Sequence, residues 1–199
     1  MKRTFDVVAA SLGLAMTSPL ILAAAVAVKL ESNGPAFYSG TRVGRNGRLF
    51  RIHKLRTMRV DAGSSGPAVT AADDVRVTAL GRWLRRTKAD ELPQLLNVVK
   101  GEMSLVGPRP EHPDYVRHYT SEQRRLLAVR PGMTGPTALA YLDEEEALRG
   151  GDAEAVYVRE VMPRKLAADL EYIEKATFAG DLKILGQTGL ALITRPFRR

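Results

Sequence analysis

The hydrophobic residues of the chain are concentrated near its amino-terminal end, where no charged residue occurs between Val7 and Val28. At about 1.5 Å per residue, a helix over this run would be roughly 33 Å long, close to the hydrocarbon thickness of a bilayer. The pattern therefore predicts a helix that associates with a membrane.

Three interpretations of this apolar segment remain. It could be a spanning anchor, or a cleaved signal peptide, which the length of the run and the absence of cysteine disfavour. The Ser18-Pro19 pair predicts a break in the helix, because proline removes a backbone hydrogen bond. Positive charges at Lys2, Arg3 and Lys29 flank both ends, which favours a re-entrant helix with both ends in the cytoplasm. On these residues alone, spanning and re-entrant helices stay equally open.

Shorter periodic segments follow. Residues 35–58 predict two strands joined by a tight turn at Asn46-Gly47, and residues 61–74 predict a mobile loop of small side chains. Helices are predicted over residues 77–86, 92–100 and 121–129. The predicted fold class is α+β, mostly helical and membrane-associated, with a re-entrant broken helix and a small β-hairpin.

A last helix is predicted from four residues that share one face, namely Leu182, Leu185, Leu192 and Ile193. A helix packed on the core is the commoner cause of this spacing. The alternative is a helix in the membrane interface, with the basic residues Arg195, Arg198 and Arg199 on anionic headgroups.

The amino-acid composition limits the kinds of site that the protein can contain. The 199 residues are 45% hydrophobic, enough for one sizeable core, and there is no cysteine, which excludes disulfides and thiolate metal sites. The net charge of +8 favours an anionic partner. Residues 42–59 and 75–89 are rich in Lys and Arg and contain no Asp or Glu. These two basic segments precede one pair of acidic residues.

That pair is Asp90 and Glu91, which precede Pro93 at a predicted helix start. A helix amino terminus favours ionised carboxylates, and an ordinary capping role would explain both residues. Arg109, however, lies in Gly107-Pro108-Arg109-Pro110, where the prolines stiffen the backbone. A rigid guanidinium suits a phosphate, so the set indicates metal-assisted phosphoryl transfer, in which a carboxylate can be the nucleophile.

Several ordered stretches carry a resemblance to a known family over essentially the whole chain. They are KRTFDVVAA, the Ser18-Pro19 pair, RVGRNGRLFRIHKLRTM, TALGRWLRRTKADELPQLLNVVKGEMSLVGPRP, RPGMTG and LEYIEKATFAGDLKIL. The chain resembles the monotopic polyprenol-phosphate phosphoglycosyl transferases of the bacterial sugar transferase family.

The resemblance implies a two-step reaction that transfers a phosphosugar from a UDP-sugar to polyprenol (undecaprenyl) phosphate and releases UMP. Asp90 matches the nucleophile that would carry the phosphosugar covalently, and Mg²⁺ would be held by Asp90 and Glu91. It stays open whether Glu91 positions the metal or removes a proton from the lipid phosphate. The predicted substrate-binding residues are Lys54, Arg56, Arg109, Arg130 and Asp169, whereas Asp181 is expected to be structural.

The resemblance also implies a re-entrant membrane helix over residues 1–33 and a catalytic domain with interfacial helices over residues 34–199. The protein would lie on the cytoplasmic face of the bacterial inner membrane, in contact with lipids of that leaflet, and act in exopolysaccharide or other glycoconjugate biosynthesis. A homodimer is left open. The segment PTALAYLDEEEALRGGD departs from the family pattern, so the sugar is not named, and Asp143 to Glu146 is expected to be a solvated helix start.

The competing class is a membrane-tethered basic protein that binds nucleic acid or anionic lipid without catalysis. An aromatic content of 6% argues against stacking on single-stranded nucleic acid. We therefore predict no nucleic-acid partner.

Overall fold

The computed structural model describes residues 1–60, 69–150 and 152–194. Most of the predicted loop over residues 61–74, and the basic residues Arg195, Arg198 and Arg199, lie outside the described residues.

The amino-terminal apolar segment forms one helix, α1 (Lys2–Glu31), with Pro19 inside it. The helix runs without interruption through Ser18-Pro19, and the bend predicted there stays a prediction. Pro19 cannot donate to the carbonyl of Ala15, four residues earlier, but the hydroxyl of Ser18 donates to that carbonyl at 2.8 Å. The serine thus satisfies the acceptor that the proline leaves open.

One face of α1 packs along the body of the protein and the other is exposed. Residues Ala10, Ile21 and Val28 are buried, whereas Met16 on the outer face is 81% exposed. Both ends bind the same body. Near the amino terminus, Arg3 donates to the carbonyl of Val98 at 2.7 Å, and just after the other end the carbonyls of Ser32 and Asn33 accept hydrogen bonds from Arg56.

Two antiparallel strands follow, β1 (Phe37–Val43) and β2 (Leu49–Leu55), paired from Phe37 opposite Leu55 to Val43 opposite Leu49. This confirms the predicted hairpin. Its turn contains a short 3₁₀ helix, Arg45–Gly47, in which Asn46 has φ 57° and Gly47 φ 75°. Asn and Gly are the residues that adopt such positive φ values most readily.

The remaining described elements are mostly short helices. They are α2 (Ala79–Thr87), a 3₁₀ helix (Ala89–Gln94), α3 (Leu95–Lys100), β3 (Ser104–Val106), α4 (Pro113–Val116), a 3₁₀ helix (Gln123–Ala128), β4 (Gly132–Thr134), α5 (Pro136–Ala140), α6 (Glu144–Ala147), α7 (Ala153–Val156), a π-helical turn (Tyr157–Val161), α8 (Met162–Lys175) and α9 (Phe178–Thr194). The predicted α2 and the last helix are confirmed. The predicted helix over residues 121–129 is only a 3₁₀ helix.

Strands β3 and β4 pair in parallel, Ser104 with Gly132 and Val106 with Thr134. This pair was not predicted from the sequence, because three residues are too few to show an alternating pattern. The pairing brings the Gly107-Pro108-Arg109-Pro110 segment beside Gly132, which matters for the site.

The core consists of three clusters of buried side chains. Two of them include α1: one joins α1 to α2 and β2, and the other joins α1 to β2 and α3. The third lies in the carboxy-terminal half and contains Tyr157 and Leu166. The mostly helical fold with a small hairpin is confirmed. Within the described residues, α1 is the helix that is long and apolar enough to cross a membrane, judged by length and composition.

Candidate active site

The acidic pair lies in the 3₁₀ helix between α2 and α3. Helix α2 ends at Lys88, which has a left-handed backbone with φ 56° and reverses the chain. Pro93 lies inside the 3₁₀ helix, and Gly101, with φ 87°, ends α3. The predicted helix over residues 92–100 is therefore a 3₁₀ turn followed by a short α-helix, and the 3₁₀ turn carries both carboxylates.

Strand β2 packs against this turn and is fastened to α3 by a buried amide. The side chain of Asn97 donates to the carbonyl of Arg51 at 2.8 Å and accepts from the backbone N–H of His53 at 3.1 Å. These bonds fix the end of β2 that carries Lys54. Asn97 is a positioning residue that the sequence analysis missed, because an asparagine inside a helix carries no distinctive sequence signal.

The pairing of β3 with β4 positions the segment of the site that carries Arg109. The N–H of Gly107 donates to the carbonyl of Thr134 at 2.9 Å, and the N–H of Gly132 donates to the carbonyl of Pro108 at 2.8 Å. A Cβ atom on Gly107 would lie 2.7 Å from the carbonyl oxygen of Arg130. Only glycine allows this approach, which sets the direction of the segment that carries Arg109.

These elements meet at Glu91. Its Oε1 atom accepts from Nζ of Lys54 at 2.8 Å and from Nη2 of Arg109 at 2.7 Å, and its Oε2 atom lies 3.4 Å from Nη1 of Arg109. Two of the predicted phosphate-binding residues are thus gathered around one of the predicted catalytic carboxylates.

Asp90 is also buried, with 5% of its surface exposed, and its Oδ1 atom has no hydrogen-bond partner. Buried carboxylate oxygens are normally bonded. This oxygen is shielded from solvent and lies near the charges of Lys54 and Lys88, so Asp90 keeps a hydrogen-bonding capacity that no described group uses.

The two carboxylates titrate differently. Burial raises the pKa of Asp90, and the nearby charges of Lys54 and Lys88 only partly oppose it. Burial also acts on Glu91, but there the charges of Arg109 and Lys54 prevail and hold its pKa well below the usual range. The expectation that the helix start would favour ionisation of both groups is therefore wrong for Asp90, because desolvation is the larger effect.

Comparison with known proteins places this geometry in a family. A family model described as bacterial sugar transferase matches residues 1–195. The chain belongs to the bacterial sugar transferase family. This membership confirms the resemblance seen in the sequence.

Members of the family match most of the chain. A Caulobacter vibrioides protein named UDP-glucose:undecaprenyl-phosphate glucose-1-phosphate transferase is 47% identical over 97% of this chain and 70% of its own length. An uncharacterized sugar transferase of Bacillus subtilis, EpsL, is 39% identical over 93% of this chain and 83% of its own. An Escherichia coli UDP-glucose:undecaprenyl-phosphate glucose-1-phosphate transferase is 36% identical over 93% of this chain but only 38% of its own.

In this family member, Asp169 lies near Arg109. The hydroxyl of Thr137 donates to Oδ1 of Asp169 at 2.8 Å. Burial raises the pKa of Asp169 to about 6. Asp169, which was predicted to bind substrate, therefore lines the same pocket as Arg109, and Thr137 is a hydrogen-bond partner that was not predicted from the sequence.

Two other predicted substrate-binding residues point elsewhere. The guanidinium of Arg56 donates at 2.8 Å to the carbonyls of Ser32 and Asn33, just after α1, and lies 3.4 Å from that of Val28. Arg56 thus stabilises the end of α1, and these bonds leave its Nη atoms engaged by backbone rather than open to phosphate. Arg130 donates to the carbonyl of Gly101 at 2.8 Å, and its described contacts do not include Asp90 or Glu91.

The acidic segment after α5 also differs from expectation. Asp143 does not cap α6 with its side chain, and the glutamates after it are engaged rather than merely solvated. Glu144 pairs with Lys165 at 2.7 Å, and Glu145 pairs with Arg85 at 2.9 Å. Asp181 agrees with its structural interpretation, because it accepts a hydrogen bond from Tyr172 at 2.6 Å and pairs with Lys2.

The donor set fits a magnesium ion only in part. Among the described residues, no group of three or more His, Cys, Asp or Glu side chains is gathered to hold a metal. Both oxygens of Glu91 already face cations, whereas Oδ1 of Asp90 is unbonded. Mg²⁺ commonly binds one or two carboxylates together with water and substrate phosphates, and Asp90 can supply such an oxygen.

Proposed function

We propose that the protein is a phosphoglycosyl transferase that moves a phosphosugar from a UDP-sugar to polyprenol phosphate through a covalent intermediate on Asp90. The observation that carries the proposal is the buried Asp90 carboxylate, with its unbonded Oδ1 atom, near the cations of Lys54 and Lys88. The names of the relatives support the donor and acceptor classes.

In the first step, a carboxylate oxygen of Asp90 attacks the sugar-bearing phosphorus of the UDP-sugar. A new oxygen–phosphorus bond forms, and the bond from that phosphorus to the bridging oxygen breaks. UMP leaves with the electron pair, and the sugar phosphate stays on Asp90 as an acyl phosphate. Desolvation, which raises the pKa of Asp90, also strengthens its electrostatic attraction to the cations that would neutralise the diphosphate.

In the second step, a phosphate oxygen of polyprenol phosphate attacks the same phosphorus, and Asp90 leaves as a carboxylate. The product is a polyprenol diphosphate sugar. Phosphate monoesters lose their second proton near about pH 6, so the acceptor needs no strong base at neutral pH. Because Arg109 and Lys54 hold the pKa of Glu91 low, we assign Glu91 to positioning these two cations rather than to proton removal.

We include Mg²⁺ in the proposal, held by Asp90 together with the phosphates of the substrate. When bound, such an ion supplies charge neutralisation for the leaving phosphate. Glu91 could reach it only by releasing Lys54 or Arg109.

We also propose that α1 is held in the cytoplasmic leaflet, with the catalytic body of residues 34–199 on the cytoplasmic face. Its two ends contact the same body through Arg3 and Arg56, while its outer face exposes Leu12, Met16 and Leu20. A helix that crossed the bilayer with the body on one side would leave one end out of reach of that body. The proposal therefore keeps residues 1–33 as a membrane element on a single side.

The sugar is left unnamed. Relatives are named for glucose and for N-acetylgalactosamine, so similarity to them does not select one.

Intact-protein mass spectrometry tests the covalent step. Purified protein would be incubated with Mg²⁺ and each of a panel of UDP-sugars, without lipid. We expect an adduct of one phosphosugar, a UMP burst no larger than the enzyme concentration, and neither in Asp90→Asn. A UDP-sugar that is turned over with lipid but gives no adduct and no burst without it would refute the covalent route.

A further inference from the structure

A groove of about 940 Å³ opens beside the acidic pair, between the basic face of α2, the α5–α6 segment and the carboxy-terminal half of α9. Lys88, two residues before Asp90, is among its lining residues. Asp90, Glu91 and Arg109 all act electrostatically on the Lys88 ammonium. The groove therefore reaches the candidate active site.

Lys88 differs from the other basic residues of the groove. Arg85 is bonded to Thr57 and Glu145, and Arg82 donates to the carbonyl of Val77. Within the described residues, the Lys88 ammonium has no hydrogen bond or ion pair. It is a half-buried cation that faces an open groove.

The backbone of Lys88 gives a second, independent indication. Its φ of 56° is a conformation that Gly or Asn adopts at low cost and that strains a lysine. Such strain is typical of residues that are held in place for function. Capping of α2 does not explain why a lysine occupies this helix end. Binding of a ligand by its ammonium would explain it.

The groove has an apolar wall next to this cation. Leu139 and Ala140 of α5 line one part, and Ile184, Leu190 and Ala191 of α9 line another. Leu190 remains 65% exposed, so the wall continues onto the open surface of α9. No aromatic side chain is among the described residues that line the groove.

We propose that this groove binds the polyprenol phosphate acceptor, with its phosphate on the Lys88 ammonium and its first isoprene units along the apolar face of α9. The inference rests on the proposed function and adds the acceptor subsite. A cation beside Asp90 that leads to an aliphatic wall matches a phosphate with a hydrocarbon tail. A nucleoside would leave that wall unused and find no ring on which to stack.

Charge balance in the groove agrees with this assignment. Its acidic residues have partners, since Glu145 pairs with Arg85 and Glu146 pairs with Arg149 at 3.0 Å, and Asp143 also has a partner. Lys88, by contrast, lines the groove with an ammonium that has no hydrogen bond or ion pair within the described residues, and can therefore donate to a bound anion.

Substitutions that remove the Lys88 ammonium but suit its backbone conformation test the end of the subsite that would bind the phosphate. Lys88→Asn and Lys88→Gly both suit the left-handed conformation, so we expect unfolding midpoints at or above the wild type. The UMP burst with UDP-sugar alone should persist, while the KM for undecaprenyl phosphate should rise at least about tenfold, the loss expected for one charge-assisted hydrogen bond. Lys88→Arg should restore much of this loss. Lys175→Asn on the exposed part of α8 is the matched control.

The outcomes separate the two proposals. A wild-type protein that shows no donor burst contradicts the covalent function itself. A normal burst with an unchanged acceptor KM in both Lys88 variants overturns the subsite alone. A slower burst in those variants with an unchanged acceptor KM would assign Lys88 to the donor and would equally overturn it.

A second experiment tests the apolar wall that would bind the isoprene units. Leu190→Gln should raise the KM for undecaprenyl phosphate several-fold but leave that for a short, water-soluble prenyl phosphate nearly unchanged. Ile193→Gln removes a similar apolar side chain from the same helix, but outside the groove, and controls for membrane attachment. Equal effects of both substitutions on the long acceptor would contradict the groove and indicate general attachment of α9 to the membrane.

Discussion

Glu91 and Arg109 form a two-point ion pair, with Nη2 of Arg109 2.7 Å from Oε1 and Nη1 3.4 Å from Oε2 of the carboxylate. Eighteen positions separate them in the chain, and the pair exists because the 3₁₀ turn and the β3–β4 pairing meet. The guanidinium is therefore held at Glu91, the residue that follows Asp90, before any substrate arrives. Such preorganised charge is the main way in which proteins assist phosphoryl transfer.

The first prediction follows from the planar fork of Arg109. Arg109→Lys keeps the charge but can no longer bond both oxygens of Glu91 or of a phosphate. We expect kcat/KM for the UDP-sugar to fall by at least about tenfold, the value of one charge-assisted bond. Steady-state release of UMP would measure it. The control is Arg117→Lys, since the Arg117 side chain is 77% exposed; full activity in Arg109→Lys would show that charge alone suffices.

Local sequence features predicted the parts of this site but not its assembly. Asn46-Gly47 marked the hairpin and Gly101 the end of α3, because positive φ values strongly select these residues. The contact of Lys54 with Glu91 depends on Asn97, which fastens β2 to α3 across long sequence separations. Such contacts between residues that are far apart in the chain produce no periodic pattern in a single sequence.

The same limit explains the different position of Arg56. Lys54 and Arg56 are two residues apart and equally basic, so composition could not distinguish them. The structure places Lys54 against the acidic turn and Arg56 against the end of α1. Only the packing of α1 on β2 decides which of these side chains is available to substrate.

The second prediction tests this role of Arg56. Arg56→Met should lower the free energy of unfolding in detergent by about 2–3 kcal/mol, because backbone carbonyls at the end of α1 lose charged donors. Chemical denaturation would measure the change, with the exposed Arg59→Met as control. The KM for UDP-sugar in the folded fraction should stay nearly constant. A raised KM with unchanged stability would instead restore Arg56 as a phosphate-binding residue.

The third prediction concerns the buried carboxylate of Asp169, whose pKa is raised to about 6 by burial. An aspartate in the unfolded chain titrates near about 3.9, so the folded state binds more protons between these two values. Stability should therefore fall as the pH rises from about 4 to about 6, by at most about 3 kcal/mol for a shift of this size.

Asp169→Asn removes that titration but keeps an oxygen for the Thr137 hydroxyl. Its free energy of unfolding should exceed that of the wild type at pH 7 and lack the contribution of Asp169 to the slope between pH 4 and 6. Denaturant titrations at a series of pH values would show both effects. If Asp169 bound substrate directly, the variant would instead raise the KM and leave the pH dependence of stability unchanged.

The last prediction places α1 relative to the membrane. Thr4 and Asn33 are exposed residues near the two ends of α1, and the chain has no cysteine, so Thr4→Cys and Asn33→Cys each introduce a single reactive thiol. Because both ends of α1 bind the catalytic body, through Arg3 and Arg56, we expect a membrane-impermeant maleimide to label neither variant in intact cells and both after permeabilisation. Labelling of Thr4→Cys alone in intact cells would mean that α1 crosses the bilayer, in which case its packing against β2 and α3 could not persist in the membrane.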